Sequence, residues 1–254
     1  MHKNEQVILL DYVTSPSHSA HAMKSFLKKL VLGSKPSEKP VSAIAQRIKN
    51  IKAIWNNEHD DDMGIEKMFR LFLAASPFVF LGLYIKEISG RRGQAYQDLA
   101  VDILVLFKVA FPIFILSNGL QNNPLLFGVI VWFMIETVLY VPTLIFASDS
   151  LSRPRSYRRS MLLLFFNYIE IIFDFSVIYA AGNFFNKPFH TWFDPIYFSF
   201  ITSASIGYGD FYPITPSGKL IVSCHSIVFL IFVVVFLNFF SSRMQSKGYF
   251  DHTS

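Results

Sequence analysis

The chain has 254 residues, 52% of them hydrophobic and only 16% charged, with 28 Phe. Few soluble domains of this length are so apolar, and the long hydrophobic runs place it in a membrane. The net charge of +5 comes from basic residues clustered outside those runs, a pattern that suits an anionic membrane face, and no nucleic-acid-binding motif accompanies it.

Residues 1–67 form a polar region in which the charge pattern gives no early apolar core with a cleavage site, so no signal peptide is expected. Ser34 to Pro40 reads as a linker, its two prolines discouraging regular structure. Met23 to Leu32 and Val41 to Trp55 flank it with basic amphipathic patterns, suited either to an anionic leaflet or to packing on the rest of the assembly. His59-Asp60-Asp61-Asp62 is too crowded in sequence to enclose one ion; it reads as a solvated helix start, Asp62 capping a segment from Gly64.

Five apolar segments follow, with accessory membrane helices over 68–148, a basic cytoplasmic linker over 149–159 and a short tail over 244–254. Leu71 to Ile85 is short and interrupted by Pro77. Leu99 to Ser117 holds Asp102, Lys108 and Pro112, Leu125 to Ala147 carries Glu136, and Met161 to Ala181 carries Glu170 and Asp174. Leu220 to Phe240 has no charge. A spanning helix needs about 20 mostly apolar residues, which the last four approach or exceed. The cluster Arg153 to Arg159 belongs on the cytoplasmic side, which sends Met161 to Ala181 outward and returns the C-terminus to the cytoplasm. If Leu71 to Ile85 spans, the lysine-rich N-terminal region falls outside, against the charge rule; if it is re-entrant or interfacial, four spans remain and both termini are inside.

Leu125 to Ala147 contains no Arg or Lys, so it is not the arginine-ladder helix a voltage sensor needs. Lys108 lies about 10 residues before an outer loop and Glu136 about 13 after it, which puts both roughly 15–20 Å from the outer edge. Glu170 falls near the same depth and Asp174 one turn further out, so a Lys108–Glu136/Glu170 cluster facing the bundle interior is expected. Its role is structural clamping or, because acids outnumber the lysine, proton-sensitive gating.

Thr202-Ser203-Ala204-Ser205-Ile206-Gly207-Tyr208-Gly209-Asp210 sits between the last two apolar segments. At membrane depth such irregular backbone survives only where protein buries it or where it lines a hydrated path. Glycine suits a line of carbonyls that point one way, because some residues must then take positive φ. Asp194 as a cap and Pro195 in a first turn predict a short helix over Ile196 to Thr202, its negative C-terminal end favouring a cation.

Gly207-Tyr208-Gly209-Asp210, with the capped short helix before it, Tyr212-Pro213 after it and apolar helices on both sides, resembles the selectivity filter of the potassium-channel pore family. The resemblance covers the last third of the chain, residues 160–243. It implies an all-α membrane protein with a pore module of outer helix, pore helix, filter and inner helix, preceded by two or three further membrane helices. It further implies passive, potassium-selective conduction in the cell membrane by a symmetric homotetramer, since the chain holds one such filter. No cofactor and no catalysed chemistry are implied, K⁺ being the permeant ion. Alternatives are a non-conducting membrane subunit or a component of a K⁺ uptake transporter, whose relatives carry four divergent filters in one chain.

On matched positions, Ser205 stands where the family usually has threonine and Ile206 at the common valine position. Carbonyls of Ser205, Ile206, Gly207 and Tyr208 would bind K⁺, with Gly209 completing the filter and Asp210 at the outer mouth. Tyr197 and Phe198 match the aromatic pair that braces the filter tyrosine. Ile201 replaces the glutamate that pairs with the filter aspartate in some relatives, which leaves the Tyr197 hydroxyl as a candidate partner for Asp210. The inner helix lacks glycine, and Phe229 stands near the usual hinge. Leu230, Val234, Leu237, Asn238 and Ser241 share one face, the expected cavity lining. Cys224 and His225 read as a small buried hydrophobe and a buried packing histidine on different helix faces.

Overall fold

A computed structural model describes residues 42–58, 62–146 and 157–244, and the side chains of all of these but 145, 157 and 239–244. The amphipathic pattern of Met23 to Leu32, the linker Ser34 to Pro40, and Arg153 to Ser156 of the basic cluster lie outside the described residues.

The described chain is helical: α1 (Ala43–Trp55), α2 (Gly64–Ala75), a 3₁₀ turn (Ser76–Val79), α3 (Leu81–Gly90), α4 (Gln94–Ser117), α5 (Pro124–Phe146), α6 (Tyr157–Ala181), α7 (Asp194–Ser203) and α8 (Pro216–Met244). Among the described residues the sheet-like pairing is a single isolated bridge, Phe185 with Pro213. Helices α4, α5, α6 and α8 are long and apolar enough to cross a bilayer.

The short segment Leu71 to Ile85 is divided between two helices that are long and apolar enough for a span only when taken together. Pro77 lies in the 3₁₀ turn, Phe80 is extended, and α2 and α3 meet there at a bend of 67°. Proline cannot continue the α-helical ladder, so the break falls where the sequence puts it. The break also frees the amides of α3's opening turn, and the Glu136 carboxylate of α5 accepts from the second of them, Gly82 N–H, at 3.1 Å. A side chain at Gly82 would meet that same Glu136 oxygen.

Asp62 does not cap α2, whose N-cap is Met63 without a side-chain bond. It is buried, and its carboxylate pairs with the guanidinium of Arg70, itself buried. A buried charge needs a partner more than a helix needs a polar cap, and Arg70 sits two turns along the same face. Helix α1 starts as its sequence suggests: Ser42 Oγ accepts from Ala45 N–H, and Glu87 of α3 accepts from both Ser42 Oγ and Ile44 N–H. Helices α4 and α5 form a hairpin whose turn carries Gly119 at φ +66 and ends on Asn123, its Oδ1 accepting from Leu125 N–H and Leu126 N–H.

The most buried of the four long helices is α6. One core joins it to α8, α7 and α5 through Val141, Phe175, Tyr179, Phe198, Ile201, Phe232 and Val235. A second joins Ile115 and Ile130 of the α4–α5 hairpin to Val177 of α6 and Ile196 of α7. The base of α6 is tied by Arg159, which pairs with Asp98 and Asp102 of α4. The accessory helices are thus packed onto α6 itself, and the elements beyond it remain open on their other face.

Candidate functional site

Helix α7 is longer at both ends than the two turns expected. Asp194 is its first residue, not its cap. Its carboxylate points back into the preceding loop, where Oδ2 accepts from His190 N–H at 2.7 Å and Thr191 N–H at 2.9 Å, and Oδ1 accepts from Thr191 Oγ1 at 2.7 Å. With Pro195 behind it there is one fewer helical amide to satisfy, so the carboxylate serves the turn. Burial pushes that carboxyl up, but the bonds from Thr191 and His190 win and hold it below the ordinary aspartate range.

The C-terminal end of α7 explains how the run Ser205 to Gly209 begins. Ile206 N–H donates to Ile201 C=O at 2.9 Å and Ser205 N–H to Thr202 C=O at 3.0 Å, with Ser205 at φ +54. Those two bonds and a left-handed residue between them are a Schellman turn, in which glycine is the usual occupant. Here Ser205, the first residue of the run, is itself the helix stop. Gly207 at φ +60 and Gly209 at φ +79 follow, so left-handed residues recur at every second position. Alternating handedness turns successive carbonyls toward one side, which an all-right-handed run cannot do. Residues 204–209 are all exposed on the single chain, Tyr208 at 68%.

The far end of the 205–209 run is held by the loop after α6. Asn186 N–H donates to Tyr212 C=O and its Oδ1 accepts from Tyr212 N–H, while Ile214 N–H donates to Phe184 C=O. Asn186 Nδ2 also reaches Asp210 C=O. Gly218, in the first turn of α8, lets Phe184 pack closely; a Cβ there would sit 2.8 Å from Phe184 Cβ. Burial and then the neighbouring Asp210 push the Tyr197 phenol up, so the two side chains lie near each other, while Asp210 Oδ1 is buried without a hydrogen-bond partner among the described residues. Phe198 is buried against Tyr179 and Phe185, with centroids at 5.0 and 4.6 Å, so within one chain it backs the α6–α7 junction.

On α8, Leu230, Val234, Leu237 and Asn238 are exposed on the single chain and share a face; the side chain of Ser241 lies outside the described residues. Phe229, near the hinge position, faces Tyr168 of α6 at 6.3 Å. Cys224 is exposed on the single chain, not buried. An apolar run does not say which face of a helix is covered, and α8 is covered on one side only. His225, on the other face, is buried as expected but does more than pack. Its Nδ1 lies 2.9 Å from Tyr179 Oη and its Nε2 2.7 Å from Ser203 Oγ. Ser203 and Tyr179 were not legible as site residues, since their partner is in another helix and nothing in local spacing announces it.

The buried charges meet as the depth estimate predicts. Lys108 Nζ lies 2.8 Å from Glu170 Oε1 and 3.5 Å from Glu136 Oε2. Thr137, absent from the sequence-based grouping, links them: its Oγ1 accepts from Lys108 at 2.7 Å and donates to Glu170 at 2.8 Å. Asp174 is fully buried one turn beyond, with no hydrogen-bond partner on either carboxylate oxygen.

Residues 161–246 match a family model described as an ion channel. Comparison with curated proteins and with solved structures gave no match. The matched segment takes in nearly all of α6, the loop, α7, the filter-like run and α8, which are the parts whose geometry has just been described. The likeness is to ion channels and is confined to that segment. The described residues are thus helical, with four helices long and apolar enough to cross a membrane, and the segment similar to ion channels follows the accessory helices.

Proposed function

We propose that the protein is a potassium-selective channel of the cell membrane, four copies of which surround one filter and conduct K⁺ passively, with the C-terminus in the cytoplasm. The observation that carries this reading is the run from Ser205 to Gly209, left-handed at 205, 207 and 209 and exposed throughout. Irregular backbone at membrane depth must be covered by protein or must line a hydrated path. A symmetric ring of copies does both: neighbours cover the outer side of each filter while its carbonyls face a shared axis.

In this arrangement carbonyls of Ser205, Ile206, Gly207 and Tyr208 replace the ion's water shell, and selectivity follows from their number and field. Helix α7 ends at Ser203, directly beneath the first of them, and its negative end favours a cation in the cavity below. Leu230, Val234, Leu237 and Asn238 line that cavity; Asn238 is the amide able to set conductance there. The Tyr197–Asp210 pair steadies the outer mouth. Nothing in this mechanism calls for a catalysed step or a resident cofactor.

The test is cation flux from liposomes holding the purified protein. Rapid K⁺ efflux with Na⁺ efflux at the protein-free rate supports the reading. Equal K⁺ and Na⁺ efflux would refute selectivity, and no efflux of either would favour a non-conducting membrane subunit.

A further inference from the structure

Behind the filter, on the side away from the proposed pore axis, three polar side chains from three helices form one chain. Tyr179 comes from α6, His225 from α8 and Ser203 from α7, and their exposures are 0%, 1% and 1%. Both imidazole nitrogens are engaged, at 2.9 and 2.7 Å. A neutral ring fits this pair of bonds, one nitrogen donating and the other accepting, so the two hydroxyls must take opposite roles. Phe175 stacks on the ring with centroids 4.0 Å apart and planes 6° apart, which fixes its tilt. Tyr179 is itself clamped edge-on by Phe198 and Phe185.

Apolar side chains of similar volume would fill this space with less desolvation, and they would hold it with less directional preference. What the polar chain adds is one defined position for Ser203 Oγ. Ser203 is the last residue of α7, and the Schellman turn that follows it hands the chain to Ser205 and Ile206. A displacement of Ser203 is therefore a displacement of the first carbonyls of the filter. The inner helix, which beyond its first turn has no glycine to bend at, has a direct mechanical link to the filter through this ring.

We propose that His225 is a positioning residue for conduction: the Tyr179–His225–Ser203 chain holds the start of the filter in its conducting register. The proposal rests on the potassium-channel reading above. It predicts that breaking the chain loosens the filter without loosening the fold.

The experiment uses the full-length protein in lipid nanodiscs and liposomes, with Ser203→Ala, which removes one oxygen, and His225→Phe, which keeps a ring against Phe175. Hydrogen exchange is followed by peptide across the whole chain, and K⁺ and Na⁺ flux in parallel. Exchange at 204–209 is expected to rise about tenfold or more in both variants, with α4 and α6 peptides unchanged. The K⁺ to Na⁺ flux ratio should fall by at least as much. The double variant should be no worse than His225→Phe alone, because both substitutions remove the same bond. Unchanged exchange at 204–209 in assembled Ser203→Ala protein would overturn the proposal, even if His225→Phe failed to assemble. A rise spread evenly over all helices would also overturn it, since that is what a merely structural contact gives. If the wild-type protein passes no ions, the channel reading fails by itself, while the exchange measurement still tests whether the chain holds the filter backbone.

Discussion

Replacing Lys108 by Met tests whether the buried charge cluster clamps the accessory helices to the pore module. Lys108 is 4% exposed and Glu170 is 0% exposed, and their charged atoms are 2.8 Å apart. Methionine fills about the same volume, so the change removes charge and hydrogen bonds with little loss of packing. It leaves the Glu170 carboxylate with only the Thr137 hydroxyl at 2.8 Å, and Glu136 with only the Gly82 amide at 3.1 Å. Breaking a buried pair from one side typically costs about 3–5 kcal/mol, because the remaining charge stays desolvated. The full range applies here, since the cation lost is the one that Glu136, Glu170 and, one turn away, Asp174 all face. Lys108→Met with Glu170→Gln removes the stranded charge as well, and should recover at least half of the loss. The assay is denaturant unfolding in mild detergent, followed by tryptophan fluorescence, for wild type, both single variants and the double. A loss below about 1 kcal/mol in Lys108→Met, or a double variant as unstable as the sum of the singles, would refute the clamp.

Other outcomes follow from single contacts. Gly209→Ala places a side chain at φ +79, a conformation that costs roughly 1–2 kcal/mol for an L-residue; flux should fall well before assembly does, as read by parallel efflux and native gels. Gly218→Ala brings a Cβ to 2.8 Å from Phe184 Cβ, and should destabilise the outer loop by about 1–3 kcal/mol through overpacking, measurable as faster exchange at 184–186. Asp194, held below its ordinary range, contributes stability above about pH 3.9 that is lost as pH falls through its lower folded value. Asp194→Asn should therefore cost about 1 kcal/mol near neutral pH, discounted for solvent screening, and little at pH 2, in a comparison of unfolding midpoints.

Hydrophobic length was enough to place α4, α5, α6 and α8, because a bilayer constrains a span's extent more tightly than water constrains any helix. Pro77 marked the break between α2 and α3, since a missing N–H is a local property of the chain. The depth count brought Lys108, Glu136 and Glu170 to one level because helical rise is fixed, yet it could not find Thr137, whose part depends on how α5 is rotated. Rotation also explains Cys224 and His225, neighbours of which one is exposed and the other buried. Asp62 and Asp194 were misread for a shared reason. A carboxylate before a helix has several amides and cations in reach, and tertiary partners, Arg70 for one and the His190–Thr191 turn for the other, took it away from the cap. Gly207 and Gly209 announced positive φ, but Ser205 did not; its left-handed backbone follows from the turn that ends α7.

The central claim is selectivity at the Ser205–Gly209 run, and a reversal potential tests it most directly. With the protein in a planar bilayer under a tenfold K⁺ gradient and an opposed tenfold Na⁺ gradient, the K⁺ equilibrium potential is about 60 mV in magnitude, since tenfold is about 1.4 kcal/mol and 100 mV is about 2.3 kcal/mol per charge. Current reversing close to that value, with the sign set by K⁺, is the predicted result. Reversal near zero, or with the sign set by Na⁺, would contradict the account.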